Sequence, residues 1–325
     1  MSGTTIDEKL ANIPALGTEI AETSWAFHDG DFTKLADAKV SIATHALNYG
    51  TGVFEGIRAY WNAAREQLYV FRLRDHFARM ERSCRIMRIA LPGDPDALAA
   101  LTLDLLRRNG FRTDVYVRPL AYKAARSIKV ALDGLRPGFS MFAFPLGAYL
   151  PTNGLTASVV SWRRTPDNAI PARGKLTGAY INTALATDEA HDEEADEAIF
   201  LTQEGHVSEG GSSNIFVVRD GELATPPVTA DILEGITRQS IMRLARERLD
   251  LRVVEREIDR TELYIADEVF FCGTGAQVAP CVSIDHRTVG DGRIGPITRS
   301  IGDLYFAVAH GDDDAYPEWR SAVYR

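Results

Sequence analysis

Lys175 is the residue of this chain best suited to bond covalently with a ligand. It lies between the apolar, proline-containing segment NAIPARG (168–174) and LTGAYINTALATDEA (176–190), which is a good helix former. Apolar neighbours disfavour the cationic form of a lysine, so they push its amine towards the neutral, nucleophilic form that a Schiff-base lysine needs. The alternative is an ordinary lysine whose stem packs while its ammonium group reaches water. Taken alone, the residue favours this alternative, and the rest of the sequence has to decide.

Glu209 is a second candidate for chemistry, in the segment VSEGGSSNIFVV (207–218). A carboxylate among small residues at the edge of a buried strand can simply cap local backbone amides. It can also hold a proton on the ring nitrogen of a bound pyridine, which lets the ring absorb the electrons released when a substrate Cα–H bond breaks. The residue types alone are compatible with both roles.

Three further segments could bind an anion such as a phosphate group. The sequence from Gly235 to Thr237 opens an amphipathic helix, whose first N–H groups lack intrahelical partners and carry partial positive charge. In FCGTGAQVAP (271–280) a buried strand runs into a glycine-rich turn, where the Thr274 hydroxyl and free amides can face an anion. In FRLRDH (71–76), Arg72 and Arg74 have the period-two spacing of a strand, so their side chains share one face and could complete the site.

Each of these segments also has an ordinary explanation as a glycine turn, a capped helix or a solvated arginine. Together with Lys175 and Glu209, however, they supply an amine, a partner for a ring nitrogen and a phosphate site. This combination is the set of groups that pyridoxal 5′-phosphate needs.

The elements that must position these residues alternate between strands and helices. Asp29-Gly30 predicts the turn of a hairpin, and apolar residues at helical spacing predict a helix from Arg74 to Ile89. The strand LTASVVSW (155–162) leads towards the Lys175 segment, and a second amphipathic helix follows Gly235. The turn cluster PTNG (151–154) predicts a boundary between two domains.

Length and composition restrict the class of protein. A chain of 325 residues is long enough for about two domains, and its net charge of −9 argues against a general nucleic-acid binder. Three cysteines follow neither disulfide nor metal-ligand spacing and predict reduced thiols. We find no signal peptide and no apolar run that could span a bilayer. We therefore expect a cytoplasmic protein without a metal, acting on small molecules rather than at a membrane or on nucleic acid.

Seven segments carry a resemblance to a known family, in this order and spacing: HALNYGTGVFEGIRAY, FRLRDH, VYVRPL, NAIPARGKLTGAYIN, VSEGGSSNIF, GITR and CGTGAQVAP. From about Trp25 to the C-terminal region, the chain resembles a branched-chain amino-acid aminotransferase of the fold-type IV group of pyridoxal-phosphate enzymes. The resemblance implies a mixed α/β (α+β) fold with a smaller N-terminal α/β domain (1–150) and a larger C-terminal domain (151–325), with the cofactor between them. It also implies transamination between L-leucine, L-isoleucine or L-valine and 2-oxoglutarate, by a homodimer or higher homo-oligomer.

The same resemblance implies a cofactor site. Lys175 would hold the cofactor covalently and move the substrate's Cα proton, Glu209 would pair with the pyridine nitrogen, and Tyr180 would hydrogen-bond the phenolic oxygen of the ring. The phosphate would be bound by Arg74, the amides of Ile236 and Thr237, and Thr274.

A substrate site is implied as well. The α-carboxylate would meet the turn at Thr274 and Gly275 together with Tyr116, and Arg118 would bind the distal carboxylate of glutamate. Aromatic side chains, some from the second subunit, would line the pocket: Tyr49, Phe54, Tyr149 and Tyr180. From the sequence alone, an arginine flanked by Tyr116 and Pro119 in a strand is expected to be half buried, and a structural ion pair is the alternative role for Arg118.

The sequence departs from the family pattern beside the substrate. Gly275 occupies a position where relatives often have alanine, Leu146 one where a bulkier aromatic residue is familiar, and GGSSN lacks a second acidic residue after Glu209. These changes reshape the pocket and leave related activities open: transamination of D-amino acids or (R)-amines, or lysis of aminodeoxychorismate. A catalytically silent domain that binds a phosphate ligand is the alternative from another class.

Overall fold

The computed structural model of the chain describes residues 22–147, 150–151 and 153–324. Two β-sheets with helices packed on them account for most of this part of the chain. No helix among the described residues is long and apolar enough to cross a bilayer.

The first sheet is antiparallel throughout, with the order β17-β5-β4-β6-β7-β1-β2 and with β3 paired to β6. Its strands are β1 (Trp25–His28), β2 (Asp31–Lys34), β3 (Gly52–Phe54), β4 (Ile57–Asn62), β5 (Gln67–Phe71), β6 (Val115–Lys123), β7 (Pro137–Pro145) and β17 (Arg320–Ala322). The helices of this part are α1 (His45–Tyr49), α2 (Leu73–Ile86) and α3 (Pro95–Asn109).

The second sheet is mixed, with the order β10-β9-β8-β15-β14-β11-β12-β13 and with β16 paired to β15. Its strands are β8 (Leu155–Arg163), β9 (Glu197–Leu201), β10 (Val207–Gly210), β11 (Asn214–Arg219), β12 (Glu222–Thr225), β13 (Arg252–Glu255), β14 (Glu268–Gly273), β15 (Gln277–Ile284) and β16 (Arg287–Thr288). Its helices are α4 (Tyr180–Asp192), α5 (Ile236–Arg248) and α6 (Pro296–His310).

Both faces of the second sheet are covered, which explains the continuous apolar runs in its strands. Along β11, Ile215 and Val217 face one buried cluster, whereas Phe216 and Val218 face another. The second cluster includes residues of α5 and α6, such as Ile241 and Tyr305. In the first sheet, α2 and α3 supply the apolar side that covers strands β4 to β7.

Several local predictions are confirmed. Asp29 and Gly30 form the hairpin turn between β1 and β2, and both have positive φ, at 46° and 109°. The helix predicted from Arg74 to Ile89 is α2, which ends earlier because Arg88 adopts a left-handed conformation with φ 50°.

The division into domains near residue 150 stays a proposal. Strands β1 to β7 precede this point and β8 to β16 follow it, in agreement with two units. The last strand, β17, returns to pair with β5 of the first sheet, so the C-terminal end of the chain packs with the N-terminal unit.

Candidate active site

A cavity of about 1120 Å³ is lined by residues from both sheets. It brings together ten of the residues singled out in the sequence: Phe54, Tyr116, Arg118, Lys175, Tyr180, Glu209, Ile236, Thr237, Thr274 and Gly275. They come from strands, two helix starts and two connecting segments that are far apart in the chain, so the cavity exists only in the folded protein.

Lys175 lies in the irregular segment between β8 and α4, and its backbone is attached to the first sheet. The amide of Phe54 donates to the Lys175 carbonyl at 3.1 Å, and the Lys175 amide donates to the Ser83 hydroxyl at 3.2 Å. The Lys175 amine donates to the Tyr180 hydroxyl at 2.7 Å and lies 4.8 Å from the centre of the Phe54 ring. Its backbone is therefore fixed while its amine faces the cavity beside a phenol.

Glu209, on β10, is a buried carboxylate with defined partners. Arg164 forms an ion pair with its Oε1 at 2.8 Å, and Asn214 and the Leu233 amide donate to its Oε2 at 3.0 and 3.1 Å. Burial raises the pKa of the Glu209 carboxyl, whereas the charge of Arg164 acts in the opposite direction. Arg164 also lines the cavity and was not identified from the sequence.

The start of α5 presents free backbone amides to the cavity. Gly235 is its N-cap, and no side chain caps the helix. A Cβ at Gly235 would come within 2.0 Å of the Asn214 side chain, so glycine is required for this close approach. Because Asn214 also binds Glu209, the helix start and the carboxylate are held in one arrangement. The amides of Ile236 and Thr237 remain suited to an anion.

The predicted role of Arg74 in phosphate binding is wrong. β5 ends at Phe71, so Arg74 belongs to the first turn of α2 and not to a strand. The helix directs it to the surface, where its side chain is 73% exposed and pairs with Asp96 at 2.7 Å. Five residues further along the helix, on its buried side, Arg79 lines the cavity instead.

Arg79 is held by a buried network that sequence reasoning missed. Its guanidinium makes two bonds to Glu55, at 2.8 and 2.7 Å, and a third to the Glu234 carbonyl at 3.1 Å. Burial favours the neutral form of Glu55, yet Arg79 together with His76 holds its pKa at about 2. The available signal was a histidine at position 76 and an arginine at position 79, on the apolar face of an amphipathic helix.

The part of the cavity near Arg118 combines apolar walls with one cation. Arg118 donates to the Tyr116 hydroxyl at 3.1 Å and lies 4.6 Å from the centre of the Phe54 ring. Its Nε is buried without a hydrogen-bond partner, and no carboxylate among the described residues pairs with it. Gly56 leaves room for Tyr116, since a Cβ there would lie 2.0 Å from the hydroxyl. Arg118 is therefore available to an anionic ligand.

Two other predicted pocket residues are not among those that line the cavity in the described part of the chain. Tyr49 does not line this cavity; it is 39% exposed on α1, where its hydroxyl donates to the Ile128 carbonyl at 2.9 Å. Tyr149 falls outside the described residues.

A second buried carboxylate, Glu197 on β9, also lines the cavity. It accepts hydrogen bonds from the Gly211 amide at 3.0 Å and from the Ser213 hydroxyl at 3.2 Å. Burial raises its pKa to about 7, although these hydrogen bonds oppose the shift. The GGSSN segment lacks a second acidic residue of its own. Its Ser213 instead donates to a carboxylate from β9, that of Glu197.

Comparison with known proteins agrees with this geometry. The amino-transferase class IV family matches residues 52–284. A relative from Aquifex aeolicus, described as a "probable branched-chain-amino-acid aminotransferase", is 42% identical over 92% of this chain and 97% of its own length. The branched-chain-amino-acid aminotransferase of Escherichia coli K12 is 38% identical over 94% of this chain and 99% of its own.

Solved structures give the same result. The branched-chain aminotransferase of Thermoproteus uzoniensis, crystallised with norvaline, has a TM-score of 0.89 and 43% identity, over 93% of this chain and 99% of that one. The branched-chain amino acid aminotransferase of Thermobaculum terrenum, solved in its pyridoxal-phosphate holo form, has a TM-score of 0.89 and 38% identity, over 94% of this chain and 100% of that one.

The chain belongs to the class IV aminotransferases, and the predicted fold-type IV architecture is confirmed. Within that family it groups with the branched-chain-amino-acid aminotransferases, as its motifs indicated.

A matched pair of substitutions tests which arginine binds phosphate. Arg79→Lys keeps a cation beside Glu55 but removes the planar fork, so we expect the affinity for pyridoxal 5′-phosphate to fall by about tenfold or more. Arg74→Lys changes an exposed ion pair and should leave the affinity unchanged. Titration of the apoprotein, followed by absorbance, measures both. A loss of affinity in Arg74→Lys alone would contradict this assignment.

Proposed function

We propose that the protein exchanges amino groups between the L-branched-chain amino acids leucine, isoleucine and valine and 2-oxoglutarate, giving the branched-chain 2-oxo acids and L-glutamate. Its cofactor is pyridoxal 5′-phosphate. The observation that carries the proposal is one cavity that contains a lysine amine, a buried carboxylate, an uncapped helix start and, beside apolar walls, an arginine without a carboxylate partner among the described residues. The relatives favour this activity over the D-amino-acid, (R)-amine and aminodeoxychorismate reactions.

The groups that line the cavity fit the cofactor. The free amides of Ile236 and Thr237 and the guanidinium of Arg79 suit a phosphate, Glu209 suits a protonated ring nitrogen, and Tyr180 suits a phenolic oxygen. When bound, pyridoxal 5′-phosphate supplies a carbonyl carbon that exchanges amines and a ring that takes up electrons from the substrate's Cα.

We assign proton movement to Lys175. Its amine is the only lysine nitrogen that lines the cavity among the described residues, and Tyr180 orients it at 2.7 Å. Glu209 would stabilise a proton on the ring nitrogen as an anionic partner, and the charge of Arg164, 2.8 Å from its Oε1, favours that anionic form. The buried Phe54 ring, 4.8 Å from the amine, shields one side of it from water.

Arg118 would allow one pocket to accept two kinds of substrate. An aliphatic side chain would contact Phe54 and the other apolar walls, because burial of its apolar surface against them is favourable. The distal carboxylate of glutamate would instead bind the guanidinium of Arg118, whose Nε has no partner among the described residues. Tyr116 would orient that guanidinium through the bond to its hydroxyl.

We also propose a homodimer. Large apolar side chains are exposed on α1, just before it and in the 126–130 segment: Ile42, Leu47, Tyr49, Ile128 and Val130. The hydrogen bond from Tyr49 to Ile128 joins these two segments into one surface, which we call the α1 surface. A second copy would cover it, and Tyr49 would then be able to approach the partner's cavity.

Because Cys84, Cys272 and Cys281 are free and buried, we further propose a cytoplasmic location.

Replacement of the reactive lysine tests the activity itself. Lys175→Ala should retain its fold by circular dichroism but lose leucine–2-oxoglutarate turnover and any borohydride-reducible adduct with the cofactor, because the amine is gone. Lys34→Ala, in the first hairpin, should retain both. Appreciable turnover in Lys175→Ala would refute the assignment, and a wild-type protein that retains no cofactor absorbance after excess pyridoxal 5′-phosphate is removed would refute the proposed function.

Separate half-reactions test the role of Arg118. In Arg118→Ala the glutamate half-reaction should slow by about 10- to 100-fold because a charge-assisted contact is lost, whereas the leucine half-reaction keeps its apolar contacts. The spectral change of the cofactor after each amino donor is added gives both rates. Equal losses with leucine and glutamate would contradict recognition of the distal carboxylate.

A charge placed in the α1 surface tests the dimer. Ile128→Asp should shift the particle to the mass of a monomer in light scattering, because a buried unpaired carboxylate is costly at an interface. Ile265→Asp changes an equally apolar exposed residue on the second unit, 59% exposed, and should not alter the mass. A dimer that persists in Ile128→Asp would contradict this surface.

A further inference from the structure

The cavity has a polar branch along α4. Four residues of this helix line the cavity, at spacings of three and four residues that place them on one helix face: Tyr180, Thr183, Thr187 and His191. With a rise of about 1.5 Å per residue, this face extends for about 16 Å, from the phenol beside Lys175 towards the end of the helix. His191 is exposed, so the branch is open to solvent at that end.

Glu197 lines the same branch from β9. A Cβ at Gly211 would lie 2.8 Å from the Glu197 Oε1 and 3.3 Å from the Thr187 hydroxyl oxygen, so Gly211 lies between the carboxyl and the helix. Oε1 accepts from the amides of Gly211 and Ala198 at 3.0 Å each, and Oε2 accepts from the Ser213 hydroxyl at 3.2 Å. Glu197 is therefore a buried, hydrogen-bonded carboxyl with a polar path to solvent.

Two consecutive residues connect Glu197 to Glu209. Ser213 donates to Glu197, and Asn214 donates to Glu209 at 3.0 Å. Burial raises the pKa of Glu197 to about 7, and the negative charge of Glu209 contributes to this shift. The two carboxyls therefore interact electrostatically at the β10–β11 connection.

Titratable groups lie on each element that packs around Glu197. Across β8, Cys281 on β15 is a thiol whose pKa burial raises to about 12, so it stays neutral. Asp196, directly before β9, lines the cavity and is exposed. On α4, His191 lies at the solvent end of the branch, and Glu189 binds β8. None of these groups forms an ion pair with Glu197 in the described part of the chain.

The balance of charge changes when the cofactor binds. Before binding, Glu209 and Arg164 form a neutral pair at 2.8 Å, and an ionised Glu197 would be a buried charge without compensation. A pyridine ring that carries a proton next to Glu209 brings one further positive charge into the site. An ionised Glu197 then balances that charge, so the protonated ring and the Glu197 carboxylate favour each other.

We propose that Glu197 is a charge-compensating residue of the cofactor site: it carries a proton in mildly acidic solution while the cofactor is absent, and it releases this proton to solvent along the polar branch when the protonated ring binds beside Glu209. The proton passes from the carboxyl to water, and the carboxylate that remains stabilises the positive charge of the ring. The inference rests on the proposed function, because it takes the ring nitrogen to bind at Glu209.

Cofactor affinity at two pH values tests the proposal. The apoprotein is titrated by calorimetry at pH 5.5 and 8.5 with pyridoxamine 5′-phosphate, which has the ring but no aldehyde to react with Lys175. Glu197→Gln mimics the protonated acid, since its oxygen can accept from the Gly211 and Ala198 amides while its NH₂ group donates to Ser213. It should bind within about twofold of the wild type at pH 5.5 and about tenfold more weakly at pH 8.5, because only the wild type gains the negative charge.

A matched variant and a proton count control the comparison. Glu268→Gln makes the same change in a buried carboxyl of the same sheet that does not line the cavity, and it should match the wild type at both pH values. Calorimetry at pH 6.5 in two buffers with different ionisation enthalpies counts the protons released on binding. The wild type should release up to about one proton more than Glu197→Gln.

An equal loss of affinity at both pH values would indicate a purely structural role and overturn the proposal, as would an unchanged affinity of Glu197→Gln at pH 8.5. If Glu197→Gln does not fold, infrared difference spectra of the wild type and Ser213→Ala at pH 6.5 decide. Binding should remove a protonated-carboxyl band whose position differs in Ser213→Ala, and a band that persists would contradict the proton release. A wild-type apoprotein that binds no pyridoxamine 5′-phosphate at either pH would instead count against the proposed function.

Discussion

The backbone pairing between the Lys175 segment and β3 is the interaction on which the site depends. The Phe54 amide binds the Lys175 carbonyl at 3.1 Å, and Val53 and Leu176 form a β-bridge. These bonds attach the segment that carries Lys175 to the first sheet, whereas Glu209 lies on a strand of the second sheet and the start of α5, proposed to bind phosphate, packs beside it. Because the bonds are made by the backbone, they fix the position of Lys175 and leave its side chain free to react.

Around this junction, buried charges are arranged in two ways. Arg79 and Arg164 have carboxylate partners, which offset the cost of burial and orient groups that face the cofactor. Arg58, buried on β4, and Arg118 form no ion pair with a carboxylate among the described residues. Of these two, Arg118 lines the cavity, and we propose that its positive charge binds the distal carboxylate of glutamate.

Much of the site could be predicted from the sequence because the relevant groups belong to short local patterns. Three local patterns were recognisable in this way: Gly235 before an amphipathic helix, the glycine turn at Thr274 and the apolar surroundings of Lys175. The structure places all three at one cavity. Arg74 was different. A period-two pattern was applied across the end of β5, although the chain had already entered α2, and so the phosphate role was given to a surface residue instead of Arg79.

By itself, the sequence determined the element types, the reactive amine and the class of reaction, because periodicity and short motifs act over a few residues. Only the tertiary structure decided which charges are paired. The contacts of Arg58 reach residues 146–147 and 274–275, and those of Arg164 reach Glu209, at separations that no local pattern encodes. It also decided that Tyr49 does not line the cavity. Ion pairs, free amides and exposed surfaces result from how distant segments pack, and packing exists only after the chain has folded.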